Sequence, residues 1–543
     1  MSEKNNQYAN FVEKLESSLH IFIKFPILGL LAISLIGIFI RLLFFDTELP
    51  IRQDANGYFW YAMDMSILNQ FPLSGHANDG WPMFLSFFFS IFNFNNYLDY
   101  TILQRIVTIC ISVLTIIPIY FLAKKFVNKE YAILAGAVFV FEPHIIQNSL
   151  QGLTEPLYIF LVTLSITFFL TNDIRFRYVS FAIIALSVIV RAEGIIILGI
   201  VTIGFFIFQK RDKQIISKYA IAILIFALIF GTMMIIKTQT SGYPSTIGFI
   251  ANVGVGSVVD SESIPDSDSK LWEISFSDVK NSMWTLAKRL VQSLIPYFVF
   301  FLPFGIILLF QNRNKNNIFI LLAIIVYTIA LIRIFMLVQD LRLMFVLYPL
   351  FSIISVIAVE YLTSNIKIKK IFIISIMVGI LILSWFFLYS NTNYDYDYDK
   401  EVVKFADYMI NNVKVSNNFY PESGYIYGVW ASSSLKYPIL SSDAEYTGPE
   451  LLDYVKGSNF VYLEKSANSV EDYIRLARDN DLSHLIIDNN EKRQSYFKDV
   501  FYYEEKYPYL IKEFDSTKEG YRYYNVKVFK IDYEYLDSKL KDD

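Results

Sequence analysis

The chain has 543 residues, 54% of them hydrophobic and 18% charged, with a mean hydropathy of +0.41. A soluble protein of this size carries nearer a quarter charged residues, which excludes a single soluble domain. The net charge of −4 with no basic stripe outside short loops argues against a nucleic-acid partner, and a lone cysteine, Cys110, excludes internal disulfides.

The chain begins with an amphipathic segment. Phe11, Leu15, Leu19 and Phe22 fall three or four apart, so residues 8–24 read as a helix along the inner membrane face, although a plain cytoplasmic helix has the same pattern. The first apolar block, 25–45, exceeds a signal-peptide core and carries Arg41 and then Asp46 instead of a cleavage site, so it stays as the first span. Further blocks close to the length that crosses ~30 Å of hydrocarbon follow at 100–123, 131–149, 153–171, 177–190, 193–209, 218–237, 291–310, 317–337, 341–362 and 370–390. The expected architecture is a polytopic α-helical membrane domain over 25–390 with about eleven transmembrane helices, followed by a soluble domain over 391–543. The fifth and sixth blocks are short, divided only by Arg191 and Glu193, and read as two helices meeting near the outer surface.

Loop charge sets the orientation. With the N-terminus in the cytoplasm, the inner loops carry Lys124, Lys125 and Lys129; Arg175 and Arg177; Lys210, Arg211, Lys213 and Lys218; Arg313 and Lys315; and Lys367, Lys369 and Lys370. The outer segments 46–99 and 142–154 together hold one basic residue, Arg52. An odd number of spans then puts the tail outside the cytoplasm.

Two outer segments exceed ordinary connections, 46–99 and 238–290. In the first, Gly57 to Met65 and Trp81 to Phe92 read as two helices at the interface, joined by a polar turn through His76 and Asp79. Those two side chains alone are weak evidence for a metal. The second segment, with Gly254, Gly256, Glu262, Asp266 and Asp268, reads as a flexible lid. In the tail, Val402 to Met409 and Val470 to Ala477 have helical spacing, while Tyr425 to Trp430, Leu485 to Asp488 and Tyr523 to Ile531 read as strands of an α/β domain. His20 and His484 read as ordinary surface or packing residues.

Charges at membrane level are costly and mark candidate sites. Asp54, Glu142, His144, Glu155, Arg191, Glu193, Asp340 and Arg342 all fall at the outer boundary. A carboxylate serves as general base and arginine binds phosphate bidentately. Each also fits a role as helix cap or interface anchor.

The arrangement resembles the GT-C glycosyltransferases, among them the dolichyl-phosphate-mannose protein mannosyltransferases, the lipid A aminoarabinose transferases and the oligosaccharyltransferase catalytic subunit. Pro50 to Phe59 looks like their first outer loop, with Asp54 in the catalytic acidic position; Thr154-Glu155-Pro156-Leu157, Arg191-Ala192-Glu193-Gly194 and Arg342 to Leu350 are similar to later motifs. The Trp-Trp-Asp signature of oligosaccharyltransferases is absent, Gly428-Val429-Trp430-Ala431-Ser432 being the nearest approach, which counts against transfer to sequons. What the resemblance implies is inverting transfer of a sugar from a polyprenyl- or dolichyl-phosphate donor to a protein, lipid or glycan acceptor on the extracytoplasmic face. Asp54 would be the base. Arg191 or Arg342 would bind the donor phosphate. Glu155, with Glu142 and His144, would orient the acceptor or hold a divalent cation (Mg or Mn) that the arginines make optional. A glycan polymerase or ligase using a lipid pyrophosphate is one rival. A flippase or transporter is another, disfavoured because the charges lie at the surface and no repeat is visible.

Overall fold

The computed structural model describes residues 26–49, 51, 54–68, 78–92, 94, 97–241, 276–336, 338–364, 366, 369–391, 396–412, 425–426, 467–478, 482–489 and 494–542. Two compact units emerge. The first comprises Met1–Phe45, Gly75–Leu85 and Gln104–Thr392, and the second Asp46–Ser74, Ser86–Leu103 and Asn393–Asp543. The amphipathic segment at 8–24, His20 and His76 lie outside the described residues.

The helices run in chain order as α1 (Pro26–Leu43), α2 (Asp54–Leu68), α3 (Gly80–Ile91), α4 (Tyr97–Leu114), α5 (Ile116–Ala123), α6 (Lys129–Val140) and α7 (Pro143–Ser149). They continue as α8 (Glu155–Phe169), α9 (Ile174–Val190), α10 (Gly194–Phe208), α11 (Ile215–Ser241), α12 (Phe276–Leu294), α13 (Phe298–Gln311) and α14 (Lys315–Ile334). A 3₁₀ turn, Leu341–Leu347, then leads into α15 (Tyr348–Thr363) and α16 (Lys369–Asn391). The chain is a multi-pass membrane protein: among the described residues six helices are long and apolar enough to cross a bilayer, or seven if the pair Val279–Leu294 and Phe298–Gln311, bent by 106°, forms one span.

The expected eleven spans are not reproduced by this measure, and the reason lies in the polar breaks. Glu142-Pro143, Gly152 and Arg191-Ala192-Glu193 end helices early, leaving α8 and α10 at 15 residues each, about 22 Å at 1.5 Å per residue. The eighth block also begins later than expected, at Phe298, because a separate helix, α12, precedes it. The two ends of the supposed lid are helical, Thr238 to Ser241 finishing α11 and Phe276 to Leu290 belonging to α12, while 242–275, with Gly254, Gly256, Glu262, Asp266 and Asp268, lie outside the described residues.

Burial sorts the spans. The segment Leu341–Thr363 is 89% enclosed, whereas Ile215–Gln239 and Lys369–Ser390 are 22% enclosed. The outer helices carry large apolar side chains on their open faces, including Leu35 and Phe39, Leu224 and Leu228, and Phe386. Such surface belongs against lipid. Inside the unit, Arg41 is fully buried and bound on all sides. Its Nε donates to Ser149 Oγ at 2.9 Å, Nη1 to the Gly37 and Val140 carbonyls at 3.0 Å, and Nη2 to Ser112 Oγ at 3.1 Å. One guanidinium thus fastens α1 to α4, α6 and α7, and each of its three nitrogens finds a partner away from water.

In the second unit, α2, α3 and the start of α4 meet through aromatic rings, Phe59 against Phe89 and Phe89 against Tyr100 at 5.5 and 5.1 Å between centroids. The helices expected at Gly57–Met65 and Trp81–Phe92 are present. Ala55, Tyr58, Phe59, Trp60, Tyr61 and Ala62 are nevertheless all buried, so α2 lacks the open polar face of a simple amphipathic helix.

The tail is α/β. Helix α17 (Tyr396–Asn412) precedes strand β1 (Tyr425–Ile426), and α18 (Val470–Arg478), β2 (Leu482–Asp488) and α19 (Ser495–Tyr502) follow. The chain ends with β3 (Leu510–Asp515), β4 (Val526–Ile531) and α20 (Tyr533–Asp542). The sheet order is β1-β2-β4-β3; β1 runs parallel to β2, and the other pairs are antiparallel with Ile486 opposite Val528. Alternate side chains serve opposite faces. Leu485, Ile487, Phe529 and Ile531 pack with Tyr473, Ile474, Phe497 and Leu536, whereas Ile486, Val526 and Val528 pack with Val402 and Phe405 of α17. Both faces are covered, which is why β2 reads as a continuous apolar run.

Strand β3 escapes sequence reading because its register shifts between Lys512 and Phe514 and its exposed side carries charge. Of the expected strand Tyr425–Trp430, only the first two residues are described. Glu401 of α17 accepts the backbone N–H groups of Arg522, Tyr523 and Tyr524 at 2.8, 2.7 and 2.7 Å, and Lys400 pairs with Asp46 and Glu48 at 2.8 and 3.1 Å. His484 is buried beside Glu513 at 3.2 Å, and burial lowers its pKa against the pull of that carboxylate.

Candidate active site

The site is assembled from the breaks that shorten the spans. At Gly152 the backbone turns through φ +76°, the left-handed region that glycine tolerates. Its carbonyl accepts from Gln104 Nε2 at 2.8 Å and Trp81 Nε1 at 3.2 Å, which fixes the turn. Glu155 then opens α8 with its side chain enclosed. Across from it, α9 ends at Arg191, and two residues later Glu193 caps α10.

Arg191 gathers this region. Its Nη1 meets Glu155 Oε1 at 2.5 Å and Thr154 Oγ1 at 3.1 Å, and its Nη2 and Nε reach the two oxygens of Glu193 at 2.8 and 3.3 Å. Asn148 of α7 donates to the other oxygen of Glu155 at 3.4 Å. Arg342, in the 3₁₀ turn, lies 3.9 Å from Glu155 and is held mainly by Asp340, at 2.6 Å from its side chain and 2.9 Å from its N–H. The two arginines differ in freedom. The Arg191 side chain is 13% exposed and lies between two carboxylates that are almost fully buried, while Arg342 is 29% exposed and its close partner, Asp340, is itself 29% exposed.

A second pair adjoins the first. Glu142 is completely buried; one oxygen caps α7 by accepting the Ile145 N–H at 2.8 Å, and the other meets His144 Nδ1 at 2.8 Å. The imidazole packs among Phe345, Tyr348 and Phe387. His144 and Asn148 are four apart on α7, and Arg342 and Phe345 three apart in the 3₁₀ turn, so each couple shares a face of its element. Asn148 and Arg342 point to Glu155 while His144 and Phe345 touch one another. Glu142, His144, Glu155, Arg191, Glu193 and Arg342 therefore form one polar region within the first unit. Asp54 belongs to the second unit, where it is the exposed first residue of α2, a position at which aligned backbone N–H dipoles favour an anion.

Asn148 and Lys237 were not singled out in the sequence, and Thr154 only as the start of its motif. Lys237 stands near the C-terminal end of α11, directly after a long apolar run, and that position was the available signal. It forms a buried ion pair with Asp79, which therefore serves as the counter-ion of a lysine, whatever His76 does. The next residue, Gly80, rests on the end of α9: a Cβ there would lie 2.7 Å from the Val190 nitrogen and 2.8 Å from the Ile189 carbonyl carbon. Both are backbone atoms that side-chain rotation cannot clear. Gly80→Ala should cost on the order of 1–3 kcal/mol through forced displacement, lowering the unfolding midpoint in detergent. Gly199→Ala, with nothing within 4 Å, should not lower it; equal midpoints for the two variants would show that the loop does not rest on α9.

No family model and no curated protein sequence matches the chain. Solved structures do. The aminoarabinose transferase ArnT from Cupriavidus metallidurans, determined bound to undecaprenyl phosphate, aligns over 93% of this chain and 97% of its own with a TM-score of 0.58 at 10% identity. The chain has the GT-C fold. The oligosaccharyltransferase of Archaeoglobus fulgidus, in a complex with Zn and sulfate, aligns over 85% of this chain and 68% of its own with a TM-score of 0.55 at 14% identity. At such identity the likeness establishes architecture. Within this fold Glu142, Glu155, Arg191 and Glu193 lie at short breaks between helices.

Proposed function

We propose that the chain is a membrane glycosyltransferase that moves a sugar from a polyprenyl-phosphate donor to a protein or glycan acceptor on the extracytoplasmic face, with inversion. The observation that carries the reading is the network that joins buried Glu155 and Glu193 to Arg191 and to the more exposed Arg342 in a GT-C fold that a polyprenyl-phosphate-bound transferase shares along nearly its whole length. In this reading the chain crosses the membrane about eleven times, several times through short or bent helices.

Transfer is a single displacement. The acceptor's oxygen or nitrogen attacks the anomeric carbon, the bond from that carbon to the donor phosphate breaks, and the electron pair leaves on the phosphate. Asp54 takes the acceptor proton. The phosphate gains a negative charge as it departs, and Arg342 is the cation suited to meet it, being the less enclosed of the two arginines. Arg191, already shared by two buried carboxylates, holds Glu155 in place to orient the acceptor. Glu142 and His144 supply two donor atoms to a cation. Among the described residues no third His, Cys, Asp or Glu joins them, and the chemistry assigned here belongs to side chains alone.

Sugar transfer from a radiolabelled polyprenyl-phosphate sugar in membranes carrying the protein tests the reading; no transfer above empty membranes, with any donor of this class, would overturn it. Arg342→Gln should weaken donor binding by ~1.5–3 kcal/mol, the loss of a charge-assisted hydrogen bond, measured by titration of the lipid donor. Binding equal to the parent's would return Arg342 to a purely structural role. The topology follows from loop charge: with Cys110 replaced, a cysteine at position 442 should react with an impermeant thiol reagent in intact cells, and one at position 314 should not. The reverse pattern would move the site to the other face.

A further inference from the structure

The helix α12 carries an open face whose composition fits neither water nor hydrocarbon. Met283, Trp284 and Val291 are 52%, 64% and 57% exposed, and Lys280 and Lys288 are exposed beside them. The opposite face is fixed to the protein: Ser282 and Leu286 are buried, and the Ser293 carbonyl accepts from Tyr348 Oη at 3.0 Å. Large apolar side chains at that exposure are unfavourable in water, and ammonium groups are unfavourable in hydrocarbon. The headgroup layer satisfies both.

Geometry agrees with that depth. Helix α13, whose open surface bears Phe300, Ile307 and Phe310, is bent from α12 by 106°. If α13 runs across the bilayer, α12 runs nearly along its surface. Lys280, Trp284 and Lys288 recur every four residues and so form one stripe. The Lys288 ammonium lies 5.3 Å from the centre of the Trp284 ring, and an indole at the headgroup level is a common depth anchor. The charge is predominantly basic: from Phe276 to Leu294 the sequence has Lys280, Lys288 and Arg289 against one carboxylate, Asp278, in the first turn. Arg289 is turned to Gln292 at 3.0 Å, leaving the two lysines for the stripe.

We propose that α12 lies in the headgroup layer and binds the phosphates of anionic phospholipids through Lys280 and Lys288, with Trp284 between them setting its depth. This does not depend on the transferase reading, since it concerns a surface and not a reaction. Basic side chains at such a surface each favour anionic lipid by roughly fivefold.

The test uses the full chain with Cys110 replaced by Ser and a nitroxide-labelled cysteine in place of Ala287, reconstituted in nanodiscs of phosphatidylcholine and phosphatidylglycerol. The expected result has two parts. Collision with oxygen and with a water-soluble nickel chelate should put the label at headgroup depth. In label-free protein, the association of spin-labelled phosphatidylglycerol relative to phosphatidylcholine should fall several-fold in Lys280→Gln/Lys288→Gln. A label freely open to the nickel chelate, one at hydrocarbon depth, or one shielded from both probes by a protein partner would each overturn the proposal. So would headgroup depth with unchanged lipid preference in the double variant.

Discussion

Replacing Asp54 with Asn should give a protein that folds and binds donor but turns over about 10²–10⁴-fold more slowly, the range that general-base catalysis contributes. Asp54 opens α2 and is exposed, while the next residues, from Ala55 to Ala62, are largely buried. A buried helix with an exposed acidic first residue offers that carboxylate from a fixed base. Asn keeps the size and can still accept a hydrogen bond from a helix N–H, so the fold has little reason to change. What it loses is the capacity to take a proton. Transfer measured with the radiolabelled donor at matched expression separates the cases. An Asp54→Asn protein with most of the parent's rate would remove Asp54 from the chemistry, even if the transferase reading survived through another base. Loss of donor binding together with loss of rate would instead make Asp54 part of the binding surface.

The membrane part was legible because its signals are local. Apolar length marks the spans, and the charged or proline breaks at Glu142-Pro143 and Arg191-Ala192-Glu193 mark where they stop. Those same breaks named Glu142, Arg191 and Glu193, three of the six residues that meet in the site. Their partnerships were not legible, since Arg191 and Glu155 are separated by 36 positions and nothing in either neighbourhood encodes the other. Arg41 reads in sequence as the flank of the first span, yet its four hydrogen-bonding groups come from four helices. Helix α12 was taken into a long loop because lysines interrupt its apolar residues, and only the bend beside α13 shows that it stands apart from a span. In the tail, β2 declared itself by the apolar run Leu485–Ile487 and β4 by apolar residues interspersed with lysine, whereas the register of the edge strand β3 shifts between Lys512 and Phe514.

Arg191→Met should destabilise the protein by about 3–5 kcal/mol, the usual consequence of removing one partner from a buried ion pair. The residue lies between Glu155 and Glu193, which are 2% and 6% exposed, and its guanidinium is within 2.8 Å of each. Methionine fills much of the space but leaves two enclosed carboxylates without that cation. The penalty is thus chiefly desolvated charge and less the loss of attraction, which gives the prediction its second half. Adding Glu155→Gln and Glu193→Gln to Arg191→Met removes the orphaned charges, and the triple variant should regain most of the lost stability, because a neutral polar cluster costs far less than an unpaired charged one. The unfolding midpoint and monodispersity in detergent measure both steps. The triple variant should still fail in transfer, because Glu155 no longer presents a carboxylate to the acceptor. If the single variant were as stable as the parent, the Arg191 network would not hold the site together. If the triple variant stayed as unstable as the single one, packing of the guanidinium, and not its charge, would be what α8, α9 and α10 require where they meet.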